Sequence, residues 1–228
     1  MKNFLASRKN RVFAGLSILL ASSISSAVLE GWEHTGTSDG VATYRKEVPG
    51  DPVVAFRGEG LIDAPLVRVA SVVMDCNRTK EWVHQLVQCT LVKKLSSREY
   101  IVQNHLGMPS FLTDRDFVTQ SKVEVDVAKG YLQITLDSVE SPDAPVGQFV
   151  RGVLHGKWTL ESRENGTKTF VVAEMHGDPK GAVPKWLVNL FQKAWPTKTF
   201  AALKKQVEKK DIKIVPAVAE VFGVPADR

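Results

Sequence analysis

Cysteine is scarce in this chain, with two among 228 residues and no CxxC pair. So few thiols exclude a cysteine-built zinc module and a dithiol redox motif. The common catalytic templates are missing as well: there is no GxGxxG, no GxxxxGK[ST], no HExxH and no GxSxG. Dinucleotide-binding, P-loop, zincin and hydrolase-elbow readings go with them. Five histidines, His34, His84, His105, His155 and His176, are scattered without metal-ligand spacing. The apolar run near the N-terminus, residues 12–21, is about half the ~20 residues that a membrane-spanning helix needs. No internal repeat or low-complexity segment is visible. Neither a metal nor a cofactor is expected.

What the N-terminus does contain is ordered. Lys2, Arg8, Lys9 and Arg11 precede the apolar run, and small residues ending in Ser25, Ser26 and Ala27 follow it. That order predicts a secretory signal peptide over residues 1–27, cleaved near Ala27, with a retained anchor as the alternative. Removing it takes four of the 30 cations and none of the 25 acids, which leaves a net charge of +1. The pI of 9.2 therefore describes mainly the leader, and a nucleic-acid partner, which wants a basic face on the folded domain, is not expected. In an exported chain Cys76 and Cys89 can be oxidised, so a disulfide and two separately buried thiols both stay open.

Beyond the leader, periodicity predicts one domain over residues 28–212 and a tail over 213–228. Alternating apolar residues predict strands at 41–48, 52–62, 90–96, 99–107, 115–125, 131–139, 148–162 and 168–178. A helix is predicted over 64–83, with Asp63 as its N-cap before Pro65. Consecutive strands with short turns imply an α+β fold with an antiparallel sheet and helices on one face. Parity then sorts the faces. Val150, Leu154, Trp158 and Leu160 share one side, as do Leu132, Ile134 and Leu136, and Val171, Ala173 and Met175. His155 and His176 fall outward.

The strand 115–125 departs from this pattern, because the parity of Phe117, Val123 and Val125 brings Arg115, Thr119 and Ser121 inward with them. A guanidinium is always charged and costly to bury alone. Arg115 thus reads as half of an ion pair or as a cavity cation that meets a ligand's polar head. Asp114 and Asp116 straddle it, and read as a salt-bridged strand entry more readily than as an acid–base pair. Lys204, Lys205, Lys209 and Lys210 form a basic helix face toward solvent or an anionic membrane surface.

The segment 181–200, GAVPKWLVNLFQKAWPTKTF, starts a late helix with Pro184 in its first turn. Leu187, Leu190, Phe191 and Ala194 cluster on one side of it. After Pro196, the residues Phe200, Leu203 and Val207 point roughly opposite, so a bend at Pro196 is expected.

In this order of elements, GVATY with FRGEGLIDAP, VVMDCNRTKEWV, DRDFV and above all DPKGAVPKWLVN resemble the START family of lipid-transfer domains over about residues 31–210. The resemblance implies a helix-grip fold: a curved antiparallel sheet wrapped around a long C-terminal helix, with an internal hydrophobic tunnel. It implies a non-catalytic, monomeric carrier or sensor of one lipid, whether phospholipid, sterol or another apolar molecule, with transient membrane contact. A cyclase- or aromatase-like enzyme on a related fold is the alternative. Cavity candidates are Arg115, Phe117, Val150, Leu154, Trp158, Met175, Trp186, Leu187, Leu190 and Phe191, with 186–194 closing the tunnel. Sterol-carrying relatives place a second arginine where this chain has Ser121, and an acid near Val102, which argues against a sterol held in that manner.

Overall fold

The computed structural model describes residues 31–226, so the predicted leader, 1–27, lies outside the described residues. The strands are β1 (Glu33–Ser38), β2 (Val41–Val48), β3 (Asp51–Ile62), β4 (Leu86–Lys94), β5 (Glu99–Leu106), β6 (Arg115–Asp126), β7 (Tyr131–Ser138), β8 (Val150–Arg151), β9 (Val153–Arg163) and β10 (Lys168–Asp178). The helices are α1 (Leu66–Met74), α2 (Lys185–Glu208) and α3 (Pro216–Phe222). The sheet order is β1-β2-β3-β10-β9-β7-β6-β5-β4, antiparallel along that path, and β8 pairs in parallel with the start of β6.

Register makes the inner face a set of rows. Gly58, Ala173, Trp158, Ile134 and Val123 stand side by side across five strands. The next row is Phe56, Met175, Gly156, Leu136 and Ser121. These are the inward parities expected from alternation, and the core gathers on them. On the other face, buried Arg57 lies between Glu59 at 2.5 Å and Glu174 at 2.6 Å, and Lys157 reaches Glu174 at 2.8 Å. Each charge there has an opposite neighbour, which burial of ions requires.

Helix α2 seats its C-terminal half on β3 through two glycines. A β-carbon on Gly58 would fall 2.7 Å from Pro196 Cβ and 3.1 Å from the Phe200 ring. Phe200, Leu203 and Val207 are buried there, as expected. The two opposed apolar clusters are not both buried, however: Leu187 is buried but Leu190 is 55% exposed. One continuous stripe, Val188, Trp195, Thr199, Leu203 and Gln206, faces inward instead, and helical spacing of three, four and seven puts these residues on one side. Thr199 and Gln206 belong to it because each has a partner: Thr199 Oγ1 accepts from His84 N, and Gln206 Nε2 donates to Glu81 at 2.8 Å. Arg68 closes the helix C-terminus, donating to the carbonyls of Val207 and Lys209.

Several sequence expectations change. The helix predicted over 64–83 ends at Met74, since Asp75 accepts from Asn77 N and its carbonyl accepts from Thr79, and a 3₁₀ turn follows at Thr79–Glu81. Short polar side chains compete with helical bonding in this way. Asp63 is not the cap; Pro65 stands there, and Asp63 pairs with Lys168 at 3.3 Å. Strand β1 was invisible to alternation because its residues are almost all exposed. The expected tail contains α3, whose Val218 and Val221 enter the core, and Gly223 ends that helix at φ 65°. Lys204 and Lys209 bond to Asp39 O and to Glu81 at the surface, and Lys205, Lys209 and Lys210 are exposed on the expected basic face.

The glycine seat yields a direct expectation. Gly58→Ala forces Pro196 away from the sheet, an overpacking that costs about 1–3 kcal/mol. Chemical denaturation of the variant measures it, and an unchanged midpoint would show that α2 is not seated at this point.

Candidate functional site

Away from β3 the N-terminal half of α2 does not close onto the sheet, and a cavity of about 340 Å³ lies between it and strands β4–β6, β7 and β9. Its floor is aromatic. Trp158 packs edge-on to Trp82 at 5.8 Å between centroids and against Trp195 at 5.9 Å, and Phe56 touches Trp195 at 5.3 Å. Its walls are Leu136, Leu154, Val123 and Ile134 from the inner rows and Val102 and Leu106 from β5. Among the described residues no aspartate, glutamate or histidine lines it.

Of the expected residues, Arg115, Phe117, Leu154, Trp158 and Met175 border the cavity. Val150, Trp186, Leu187 and Leu190 do not; Trp186 is 68% exposed. The side chain of Phe191 lies outside the described residues. From α2 the cavity receives Val188 and Trp195 instead. The sequence clustering failed here because it weighted apolar residues alone and overlooked the buried Thr199 and Gln206, which fix the inward stripe.

A second wall went unnoticed in the sequence. Cys76 and Cys89 are joined in a disulfide with sequence separation 13, and both border the cavity. The loop they close contributes Thr79, Trp82, Val83 and Gln85 to the lining. Trp82 Nε1 is buried there without a hydrogen-bond partner. The bracketing of Trp82 by the two cysteines was the available signal.

Arg115 sits at the other end, only 3% exposed. No salt bridge from it to a carboxylate forms among the described residues. Its guanidinium donates to the carbonyls of Thr113, Pro179 and Lys180, the last two at 3.3 Å. It therefore ties the β5–β6 loop to the segment that leads into α2. Burial lowers its pKa, with Asp114 acting against that fall. Asp114 itself turns away: it accepts from Met108 N at 2.8 Å and meets His105 at 2.7 Å, and these bonds hold its pKa down. Asp116 points to the opposite face. Burial opposes its ionisation, yet bonds from Arg151 and Gln103 outweigh this and keep its pKa low. The two carboxylates straddling Arg115 thus serve different partners and form no acid–base pair.

Comparison with known proteins places this geometry. A model of the START domain matches residues 26–209, and the chain belongs to the START family. An uncharacterized protein of Pseudomonas aeruginosa is 27% identical over 186 residues, covering 81% of this chain and 90% of the relative. The structure of a STAR-related lipid transfer protein from Xanthomonas axonopodis superposes with TM-score 0.69 at 27% identity, covering 78% of this chain and 99% of the other. Human StAR-related lipid transfer protein 5 shares the fold, with TM-score 0.72 at 24% identity over 78% of this chain and 86% of the other.

Because the disulfide closes the loop that carries Trp82, replacing Cys76 and Cys89 by serine together frees that loop in the unfolded chain. A loop of this length predicts a loss of about 3 kcal/mol, read by urea denaturation under non-reducing conditions. A reducing agent added to the native protein should reproduce the change; an unaltered midpoint in both would contradict the bridge.

Proposed function

We propose that this START-family chain is an exported, non-catalytic carrier of one apolar molecule, held in the cavity beneath α2. The observation that carries the reading is the aromatic and aliphatic cavity, which has few polar groups and, among the described residues, no carboxylate or imidazole in its lining. An apolar molecule entering it removes surface from water at roughly 25 cal/mol per Å². A cyclase- or aromatase-like catalyst would want a general acid or base within reach of that space, and the lining supplies Arg115 and Tyr100 but no carboxylate or imidazole. The Xanthomonas relative is a STAR-related lipid transfer protein, and that supports the same use for this cavity.

Exchange with a membrane needs an apolar surface beside the cavity. Phe111 in the β5–β6 loop is 74% exposed, and Trp186 and Leu190 stand exposed on the first turns of α2. Arg115 joins these two segments. Exposed large apolar groups clustered in this way mark interaction sites, here a lipid surface.

The leading experiment is extraction of the natively purified protein followed by lipid mass spectrometry. One lipid per chain supports the carrier; a protein that is empty and also fails to move fluorescent lipids between vesicles would sink it. Phe111→Ser with Trp186→Ser should slow vesicle-to-vesicle transfer several-fold while leaving the loaded fraction unchanged. Equal transfer rates would remove these residues from the membrane contact. Export is read from the mass of the protein recovered outside the cytoplasm: a chain beginning just after Ala27 supports it, and an uncleaved chain contradicts it.

A further inference from the structure

Arg115 is buried without a salt bridge among the described residues, and nearby Asp114, which favours its charge, bonds to other groups. A guanidinium has five N–H donors, and the three bonds it makes here go to the carbonyls of Thr113, Pro179 and Lys180, all neutral acceptors. No carboxylate forms a salt bridge with it among the described residues, and its neighbour Asp114 is committed to His105 and Met108 N. Elsewhere in the molecule buried Arg57 is paired with Glu59 and Glu174, and half-buried Arg151 with Asp116. Arg115 is as buried as Arg57, yet it borders an apolar cavity with no acid in its lining. Burying an unpaired charge is strongly unfavourable.

We infer that the counter-charge comes with the cargo, and that the cavity takes a single-chain amphiphile with a compact anionic head, a carboxylate above all. This rests on the carrier reading and narrows it. The fork of a guanidinium matches the two oxygens of a carboxylate. The bonds to Pro179 and Lys180, at 3.3 Å, are long for this donor type and are the ones an anion would replace. Size agrees: about 340 Å³ lies near the lower end of the roughly 300–1,000 Å³ spanned by small-ligand pockets, room for one chain and not for the two of a phospholipid. The tail would run from Arg115 past Phe117 and Leu154 to the Trp158–Trp195 floor. Since the carbonyls of Pro179 and Lys180 lie just before α2, capture of the head also loosens the segment that anchors the start of that helix.

The test compares heads on a fixed tail, using the exported protein stripped of bound lipid and isothermal calorimetry. Palmitate, hexadecanol, methyl palmitate, hexadecyl phosphate and a two-chain phosphatidate are the probes. Palmitate should bind at least about tenfold more tightly than hexadecanol or methyl palmitate, a gap of ~1.4 kcal/mol, and the gap should vanish in Arg115→Gln. Equal affinities, or a gap that survives in Arg115→Gln, would overturn the assignment. A preference for hexadecyl phosphate would overturn the carboxylate head, and phosphatidate binding as tightly as palmitate would overturn the single chain. If Arg115→Gln does not fold, the comparison on the unaltered protein decides alone. A chain that binds no probe but carries a lipid from its host defeats this inference and leaves the carrier reading standing; one that does neither defeats both.

Discussion

The cavity exists because α2 touches the sheet closely at one end only. Gly58 and Gly60 on β3 have no β-carbons, so Pro196 and Phe200 come down onto the backbone itself. Further toward the start of the same helix, Val188 borders the cavity, whose lining also includes residues of β5, β6 and β9. A bulkier β3 would lift the whole helix, and the enclosure would become a groove open to water. Interiors are close-packed by default, so a void of this size has to be held open by contacts elsewhere. The glycine seat, the Arg68 closure at Val207 and Lys209, and the Thr199 and Gln206 bonds to the 78–85 segment supply them.

Much of this was legible before any coordinates. Strands β2, β3, β5, β7 and β10 fall within a residue or so of their expected bounds, because alternation on a one-sided sheet is a strong signal. The inward placement of Arg115 followed from the same parity. What parity could not supply was the identity of its partners. Those lie 64 and 65 residues away in sequence and are backbone carbonyls, which carry no residue-type signature. Helix α2 was misjudged for a related reason. A buried stripe containing Thr199 and Gln206 looks polar until one knows that His84 N and Glu81 wait opposite. Helix α3 is short and follows an irregular stretch, so little in its pattern separates it from a tail.

The polar groups divide according to the sheet's two faces. On the outer face the charges of Arg57, Glu59, Glu174 and Lys157 cancel pairwise. On the inner face Arg115 stands at one end of an apolar space and the unpartnered Trp82 Nε1 lies within the opposite wall. Asp116 Oδ1, Thr119 Oγ1 and Asn189 Oδ1 are also buried without partners, outside the cavity lining.

The claim that the space under α2 is the cargo site is tested most directly by locating a bound chain. A fatty acid carrying bromine at its far end, crystallised with the protein, reports the position of its tail by anomalous scattering. The account predicts one peak over the Trp158–Trp195 floor, with the head beside Arg115. A peak on the outer face of the sheet, or against the exposed Trp186 and Leu190 alone, would contradict it.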